Sequence, residues 1–255
     1  MKTPRRDHSA SVLTLACVAV GALAATGVFN SVMYFPLIFA AVCLVLGLAG
    51  LWRDRNRRPA TLRASLLVAG VLIAVGGWLF NTRAIQERQR VRGEQIYAQL
   101  AGLPAPTLPE LEPLNLDLRQ LEETTSWSNQ VTLVTFWAIW CSPCWTEMAE
   151  LDELYEKHHA DGLAVLAVTQ YGEPDDETQR QEDRDEAVAF LQRRELALPA
   201  AITGSTEVYR NYQAASIPAT ALIDENGTLV GYGLGLEGGR ELMAQATAML
   251  AGSSR

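Results

Sequence analysis

Residues 131–148 read VTLVTFWAIWCSPCWTEM, and this stretch decides the fold. Its first seven residues are apolar or β-branched, which predicts a buried β-strand. Two cysteines three positions apart, Cys141 and Cys144, follow shortly after this strand. From Pro143 onwards the apolar residues return at helical spacing, and proline is well tolerated in the first turn of a helix. The stretch therefore predicts a strand, a tight turn and a helix, with Cys141 at the helix N-terminus.

The sequence around this stretch predicts an α/β domain. Three further strands are predicted by short apolar runs, at 163–169, 219–223 and 228–232. The last two form a hairpin, because Asn226-Gly227 between them is a strong turn signal. Helices are predicted by apolar spacing at 143–160, 182–194, 206–212 and 239–251. Parallel strands joined by a crossover helix, followed by an antiparallel pair, indicate a mixed sheet in a three-layer α/β fold.

Long uncharged stretches precede this domain. No Asp, Glu, Lys or Arg occurs in residues 9–52 or in residues 64–82. About 20 apolar residues span a bilayer, so we predict three transmembrane helices, near 11–29, 33–51 and 63–81. A cleaved signal peptide is the alternative for the first of them, although its apolar part is long for a signal.

The arginine and lysine residues near these spans predict their orientation. Three lie at the N-terminus and five between the second and third spans, against four that follow the third span. Because the more basic loops stay inside, the chain after residue 82 should lie outside. We therefore predict a membrane domain at 1–82, a polar helical stalk at 83–101 and an extracytoplasmic domain at 102–255.

The predicted outer domain is strongly acidic. From residue 102 to the end, 9 Lys and Arg stand against 25 Asp and Glu, a formal charge of −16. Such a surface repels phosphate backbones, so nucleic acid is excluded as a partner. The predicted spans also imply that the lipid bilayer is a partner. An acidic face could also favour basic proteins, whereas the simpler interpretation is solubility.

The cysteine pair allows three interpretations: a zinc half-site, a structural disulfide or a redox centre. Zinc needs about four ligands, and the remaining cysteines, Cys17 and Cys43, lie in predicted spans. A structural disulfide that closes so short a loop would stabilise the fold weakly. The redox interpretation fits best, and it requires no metal and no cofactor beyond the redox-active disulfide itself.

The predicted position of the pair gives each cysteine a different task. Free N–H groups and the helix dipole at the helix N-terminus should lower the pKa of Cys141 from about 8.5 to roughly 7 or below, which makes it a nucleophile. Cys144 lies one turn further into the helix, where it is less acidic and more buried. It suits attack on the mixed disulfide that Cys141 forms with a substrate.

The block at 131–148 resembles the active-site strand and helix of the thioredoxin superfamily, in particular the membrane-anchored TlpA/ResA-type thiol–disulfide oxidoreductases. Residues 216–235, SIPATALIDENGTLVGYGLG, resemble the cis-proline strand and hairpin of the same proteins. The resemblance covers roughly residues 102–255 and none of the predicted spans. It implies a thioredoxin-like fold for this part of the chain.

The resemblance also assigns roles to single residues. It implies a cis peptide bond between Ile217 and Pro218 that faces the cysteine turn, with the Ile217 backbone docking the substrate chain. Glu147 stands where ResA-like reductases carry a glutamate, and it could accept a proton during attack by the second thiol. The alternative for Glu147 is a solvated carboxylate. Thr135 replaces the buried aspartate of cytoplasmic thioredoxins, which favours the anchored family.

Two sets of site residues result from these observations. The predicted catalytic residues are Cys141, Cys144, Pro218 and Glu147, and the predicted substrate-binding residues are Trp140, Ser142, Pro143 and Ile217. Trp137 is expected to wall the site together with Trp140.

The implied activity is that of a protein-disulfide reductase. The resemblance implies substrate proteins with disulfides, among which an apocytochrome c is a candidate of the family type, and a membrane electron donor of the CcdA/DsbD kind. Strong oxidants of the superfamily resemble Cys-Pro-His-Cys, whereas Ser142-Pro143 separates the cysteines here, which favours reduction. The alternatives are a disulfide oxidase or isomerase, and a redox-sensing interaction module without turnover.

Overall fold

The computed structural model describes residues 60–173 and 175–253, and the chain divides into two compact units after Ile85. A single helix, α1 (Ala60–Leu100), covers the third predicted span and nearly all of the predicted stalk. The first two predicted spans lie outside the described residues. Within the described ranges, no helix is both long and apolar enough to cross a membrane. The three spans therefore stay predictions.

In the described part of the second unit, six strands form one mixed sheet in the order β1-β4-β3-β2-β5-β6. The strands are β1 (Leu111–Pro113), β2 (Val131–Phe136), β3 (Leu163–Gln170), β4 (Ala200–Thr203), β5 (Ala219–Ile223) and β6 (Leu229–Leu234). The central strands β2, β3 and β4 run parallel, while β1, β5 and β6 pair antiparallel with their neighbours. The predicted mixed α/β sheet is confirmed.

Helices cover both faces of this sheet. They are α2 (Leu118–Thr125), α3 (Ser142–His158), α4 (Glu177–Arg193), α5 (Thr206–Asn211) and α6 (Gly235–Ser253), with a 3-10 turn at His159–Asp161. Side chains of α3, α4 and α6 pack with alternate residues of β2 such as Leu133, on one face. Side chains of α1, α2 and α5 pack with Val134 and Phe136, on the other face. The sheet and the helices on its two faces are the three predicted layers, and one core lies on each face of the sheet.

Two helices begin earlier than the apolar pattern predicts. The carboxylate of Asp176 accepts hydrogen bonds from the backbone N–H groups of Thr178 and Gln179, at 2.9 and 3.1 Å, and so starts α4 five residues before the predicted start at 182. Helix α6 starts at Gly235, in a glycine-rich stretch whose low helix propensity conceals it. Strands β1 and β4 were not predicted, because runs of 3 and 4 residues carry little periodicity.

The second half of α1 belongs to the sheet's own unit, which begins at Gln86. Ile96 is only 4% exposed and packs in the core with Val134. Gly93 brings the helix close to β6, since a Cβ on this residue would lie 3.5 Å from the backbone nitrogen of Leu234. The polar composition of the predicted stalk concealed this packing, which depends on few apolar side chains.

A buried carboxylate ties α3 to the segment that precedes β4. Asp152 is 8% exposed, and its Oδ1 accepts hydrogen bonds from the N–H groups of Ala197 and Leu198 at 2.8 and 2.7 Å. We expect Asp152→Ala to lower the free energy of unfolding by about 2–4 kcal/mol, because two N–H groups lose a charged acceptor.

This loss can be measured by urea denaturation of the purified chain, followed by tryptophan fluorescence. Asp152→Asn keeps an acceptor oxygen and should restore most of the stability. Glu153→Ala, at the exposed neighbouring position, should change the free energy of unfolding by less than about 0.5 kcal/mol. Equal effects of Asp152→Ala and Glu153→Ala would contradict the role of Asp152.

Candidate functional site

The two cysteines form a disulfide at the start of α3. Cys141 is the N-cap residue with extended backbone angles, and its Sγ accepts a hydrogen bond from the N–H of Cys144 at 3.3 Å. Ser142 and Pro143 are exposed in the first turn, whereas Cys141 is 4% and Cys144 0% exposed. The predicted placement of the pair at a helix N-terminus is confirmed, and Cys141 is the more exposed residue of the two.

The loop between β2 and α3 carries an exposed tryptophan. Trp140, immediately before Cys141, is 77% exposed although it is large and apolar. Trp145 holds this loop through a hydrogen bond, because its indole Nε1 donates to the carbonyl oxygen of Ile139 at 2.8 Å. The guanidinium of Arg194 lies 4.8 Å from the ring centroid of Trp145. Trp145 therefore positions the turn, a role that its sequence spacing did not reveal.

Strand β5, which pairs with β2, places Pro218 near the disulfide. The peptide bond between Ile217 and Pro218 is cis, as the resemblance predicted. Phe136 pairs with Ala219 across β2 and β5, so Pro218 lies beside the end of β2 from which the cysteine loop departs. Ile217 is partly buried and packs against both cores.

Glu147 is buried between α3 and the sheet, where two threonines of β2 and β5 donate hydrogen bonds to it. It is 1% exposed, and it accepts hydrogen bonds from Thr220 Oγ1 at 2.8 Å and from Thr135 Oγ1 at 3.4 Å. The two threonines are directly opposed across β2 and β5. Burial raises the pKa of Glu147 to about 7, against the opposing effect of both hydrogen bonds. The alternative of a solvated carboxylate is therefore wrong.

Glycines make this burial sterically possible. Gly233 on β6 is paired with Thr220, and a Cβ on it would lie 2.5 Å from the backbone of Gly238. The start of α6 therefore comes into direct contact with the sheet. A Cβ on Gly239 would lie 1.8 Å from Glu147 Oε1, so a side chain there would have to displace the buried carboxyl group. Thr220, Gly233 and Gly239 all shape the site, and sequence reasoning missed all three.

A cleft of about 840 Å³ opens beside the cysteine loop. Trp137, Trp140 and Ile217 line it, which agrees with the expectation that the two tryptophans wall the site. The predicted site residues thus divide between the disulfide turn, the buried carboxylate and this cleft. In the part of the chain that the structure describes, no group of three His, Cys, Asp or Glu residues is arranged to hold a metal ion.

A mixed sheet with a disulfide at a helix start, a cis-proline strand beside it and a buried acid define a thioredoxin-like thiol–disulfide oxidoreductase. A family model described as the AhpC/TSA family matches residues 103–231. The chain belongs to this family.

Curated relatives bear the name thiol-disulfide oxidoreductase ResA. The protein of Geobacillus kaustophilus is 28% identical over 174 residues, which is 68% of this chain and 86% of that protein. The protein of Geobacillus thermodenitrificans is 31% identical over 121 residues, 48% of this chain and 63% of the relative. The crystal structure of StoA from Bacillus subtilis is 19% identical, with a TM-score of 0.40, and the match covers 55% of this chain and 98% of that one. The likeness to ResA-type proteins inferred from the two motifs is confirmed.

Proposed function

We propose that the protein is a membrane-anchored reductase of disulfides in envelope proteins, working by dithiol exchange through Cys141 and Cys144. The observation that carries this proposal is the disulfide at the N-terminus of α3 with the buried Glu147 one turn further along the helix.

The exchange needs two steps. The Cys141 thiolate attacks one sulfur of a substrate disulfide, forms a mixed disulfide and releases the first substrate thiolate, which takes up a proton. Cys144 loses its proton and attacks the Cys141 sulfur, which closes the Cys141–Cys144 disulfide and releases the second substrate thiolate, which also takes up a proton. Two electrons pass from the cysteine pair to the substrate. A dithiol donor in the membrane, of the CcdA/DsbD kind, then returns two electrons to the pair.

Glu147 suits the second step. Residues three apart on a helix are neighbours on its surface, so Glu147 and Cys144 share the buried face of α3. With a pKa raised to about 7, Glu147 can accept a proton near neutral pH and return it when the pair is reduced again. Glu147 therefore matches the needs of a thiol that must be deprotonated inside the protein.

Three features support reduction as the direction of electron flow and the periplasm as the location of the redox domain. Ser142 and Pro143 stand between the cysteines, where strong oxidants carry a histidine that stabilises the thiolate. The absence of this histidine favours reduction. The uncharged stretches and the basic residues near them support an anchor in the inner membrane with the redox domain on the periplasmic side. Substrates would then be envelope proteins with disulfides, and an apocytochrome c fits this description.

The direction of electron flow is tested by the redox state of the pair in cells. We expect Cys141 and Cys144 to be mainly reduced, because a reductase must carry electrons at rest. Acid-quenched cells are treated with a polyethylene-glycol maleimide, and the number of modified thiols is read from the gel shift. Cys17 and Cys43 are replaced by serine, so that the shift reports only the pair. A mainly oxidised pair would contradict reduction and favour the oxidase alternative.

A further inference from the structure

Helix α1 supplies one wall of the cleft beside the disulfide. Arg92, Gln95 and Gln99 line the cleft. Their spacing places them on one face of the helix, over about 10 Å at 1.5 Å per residue. The wall is fixed to the domain, since Ile96 is 4% exposed and Gln213 Nε2 donates to Gln99 Oε1 at 3.1 Å. It lies before residue 103, where the match to the family model begins.

The groups lining the cleft fit a polypeptide backbone. The side-chain amides of Gln95 and Gln99 can donate and accept hydrogen bonds, as a peptide requires. Trp137 lines the same cleft, although its indole N–H is buried and is not presented to a bound chain. Trp140 and Ile217 add apolar surface next to the disulfide turn. A wall of this length accommodates about three residues of extended chain at roughly 3.3 Å each.

The charged residues that line the cleft are two arginines and one aspartate, although the domain as a whole is acidic. Arg92 is exposed and forms no ion pair with any described residue. Arg210, which also lines the cleft, is paired with Glu207 at 3.2 Å. The carboxylate of Asp183 lines it too, and it accepts hydrogen bonds from the N–H of Gly172 at 2.8 Å and from Gln179 Nε2 at 2.9 Å, which orient a carboxylate without cancelling its charge. Arg92 is thus the cation left to meet a carboxylate.

The resemblance already implies that the substrate chain docks beside Ile217; we propose that the α1 wall extends this docking site, and that Arg92 selects segments carrying a carboxylate. This inference rests on the proposed function and names the substrate class of the same site. It makes α1 a specificity element that distinguishes acidic from basic sequences near a substrate cysteine.

The test compares two peptides, each closed by one intramolecular disulfide, that differ only by Glu or Lys two positions from a cysteine. The full-length protein in detergent micelles is reduced, and the second-order rate constant of its oxidation by each peptide is followed by tryptophan fluorescence. Fluorescein-labelled versions with serine in place of cysteine give binding by anisotropy, without exchange. We expect the wild type to favour the Glu peptide by roughly three- to tenfold in both assays.

Substitutions of Arg92 should change this ratio. Arg92→Glu should invert it and Arg92→Gln should bring it close to one. Arg88→Glu makes the same charge change one turn earlier on α1, outside the cleft, and should keep the wild-type ratio. A ratio near one in the wild type, or equal effects of Arg88→Glu and Arg92→Glu, would overturn the inference. Phosphatidylglycerol added to the micelles should not displace the Glu peptide, since displacement would make a lipid headgroup the occupant.

The outcomes separate this inference from the proposed function. Reduction of both peptides at one rate sinks the selection by Arg92 and leaves the reductase standing. Preferential binding of the Glu peptide without any oxidation of the protein, even by the small neutral substrate hydroxyethyl disulfide, sinks the reductase and leaves the docking surface standing. Neither binding nor oxidation overturns both.

Discussion

Replacing Cys144 by serine is expected to leave the protein covalently attached to its substrate in cells. In the structure Cys141, the N-cap of α3, is the more exposed of the two cysteines, while Cys144 in the first turn is fully buried. Cys141 should therefore be the residue that attacks a substrate, and Cys144 the residue that resolves the mixed disulfide. Without the resolving thiol the mixed disulfide has no internal route to break down. Non-reducing gels of acid-quenched cells should show the attached substrates, which mass spectrometry can identify.

The matched variant is Cys141→Ser, which should trap no substrate and should reduce disulfides no faster than the uncatalysed reaction. The double variant Cys141→Ser/Cys144→Ser controls for disulfides made by Cys17 and Cys43. Trapping by Cys141→Ser instead of Cys144→Ser would reverse the assigned roles of the two cysteines. The absence of any trapped protein with Cys144→Ser would count against exchange with protein substrates altogether.

Local pattern predicted the part of the site that is local in sequence. The strand, the turn and the helix start at 131–148 follow from short-range periodicity and from the tolerance of Pro143 in a first turn. These features place Cys141 at the helix N-terminus whatever the rest of the chain does. The position of the cis-proline needed more, because it depends on β5 lying beside β2, and the resemblance supplied that.

The burial of Glu147 could not be predicted in this way. Its main partner, Thr220, lies 73 residues along the chain, and the two meet only through the pairing of Thr135 with Thr220. Gly239 then has to leave space for the carboxylate, which depends on the contact between β6 and α6. A glutamate on a helix in an acidic sequence has no local sign of burial. The same reasoning applies to Ile96, whose helix is polar in composition.

Replacing Glu147 by glutamine is expected to slow closure of the Cys141–Cys144 disulfide by about 100-fold near pH 7, because the second thiol loses its proton acceptor. Burial raises the pKa of Glu147 to about 7. In the wild type, closure should therefore speed up as pH rises through 7, since only the ionised carboxylate can take the proton. The glutamine variant should lack this rise and keep only the titration of the thiols. Stopped-flow oxidation of the reduced protein by hydroxyethyl disulfide, between pH 5 and 9, measures both.

Stability gives an independent check on the same carboxyl group. Its pKa is raised in the folded state, so between about pH 4.5 and 7 the folded protein holds a proton that the unfolded chain has lost. Stability from this group is therefore lost as pH rises through that window, by about 1.4 kcal/mol per pH unit. Glu147→Gln should remove this decline from the urea-denaturation profile, while the exposed control Glu153→Gln should keep it. An unchanged stability profile in Glu147→Gln would mean that the buried carboxyl titrates normally, and its role as a proton acceptor near neutral pH would fail with it.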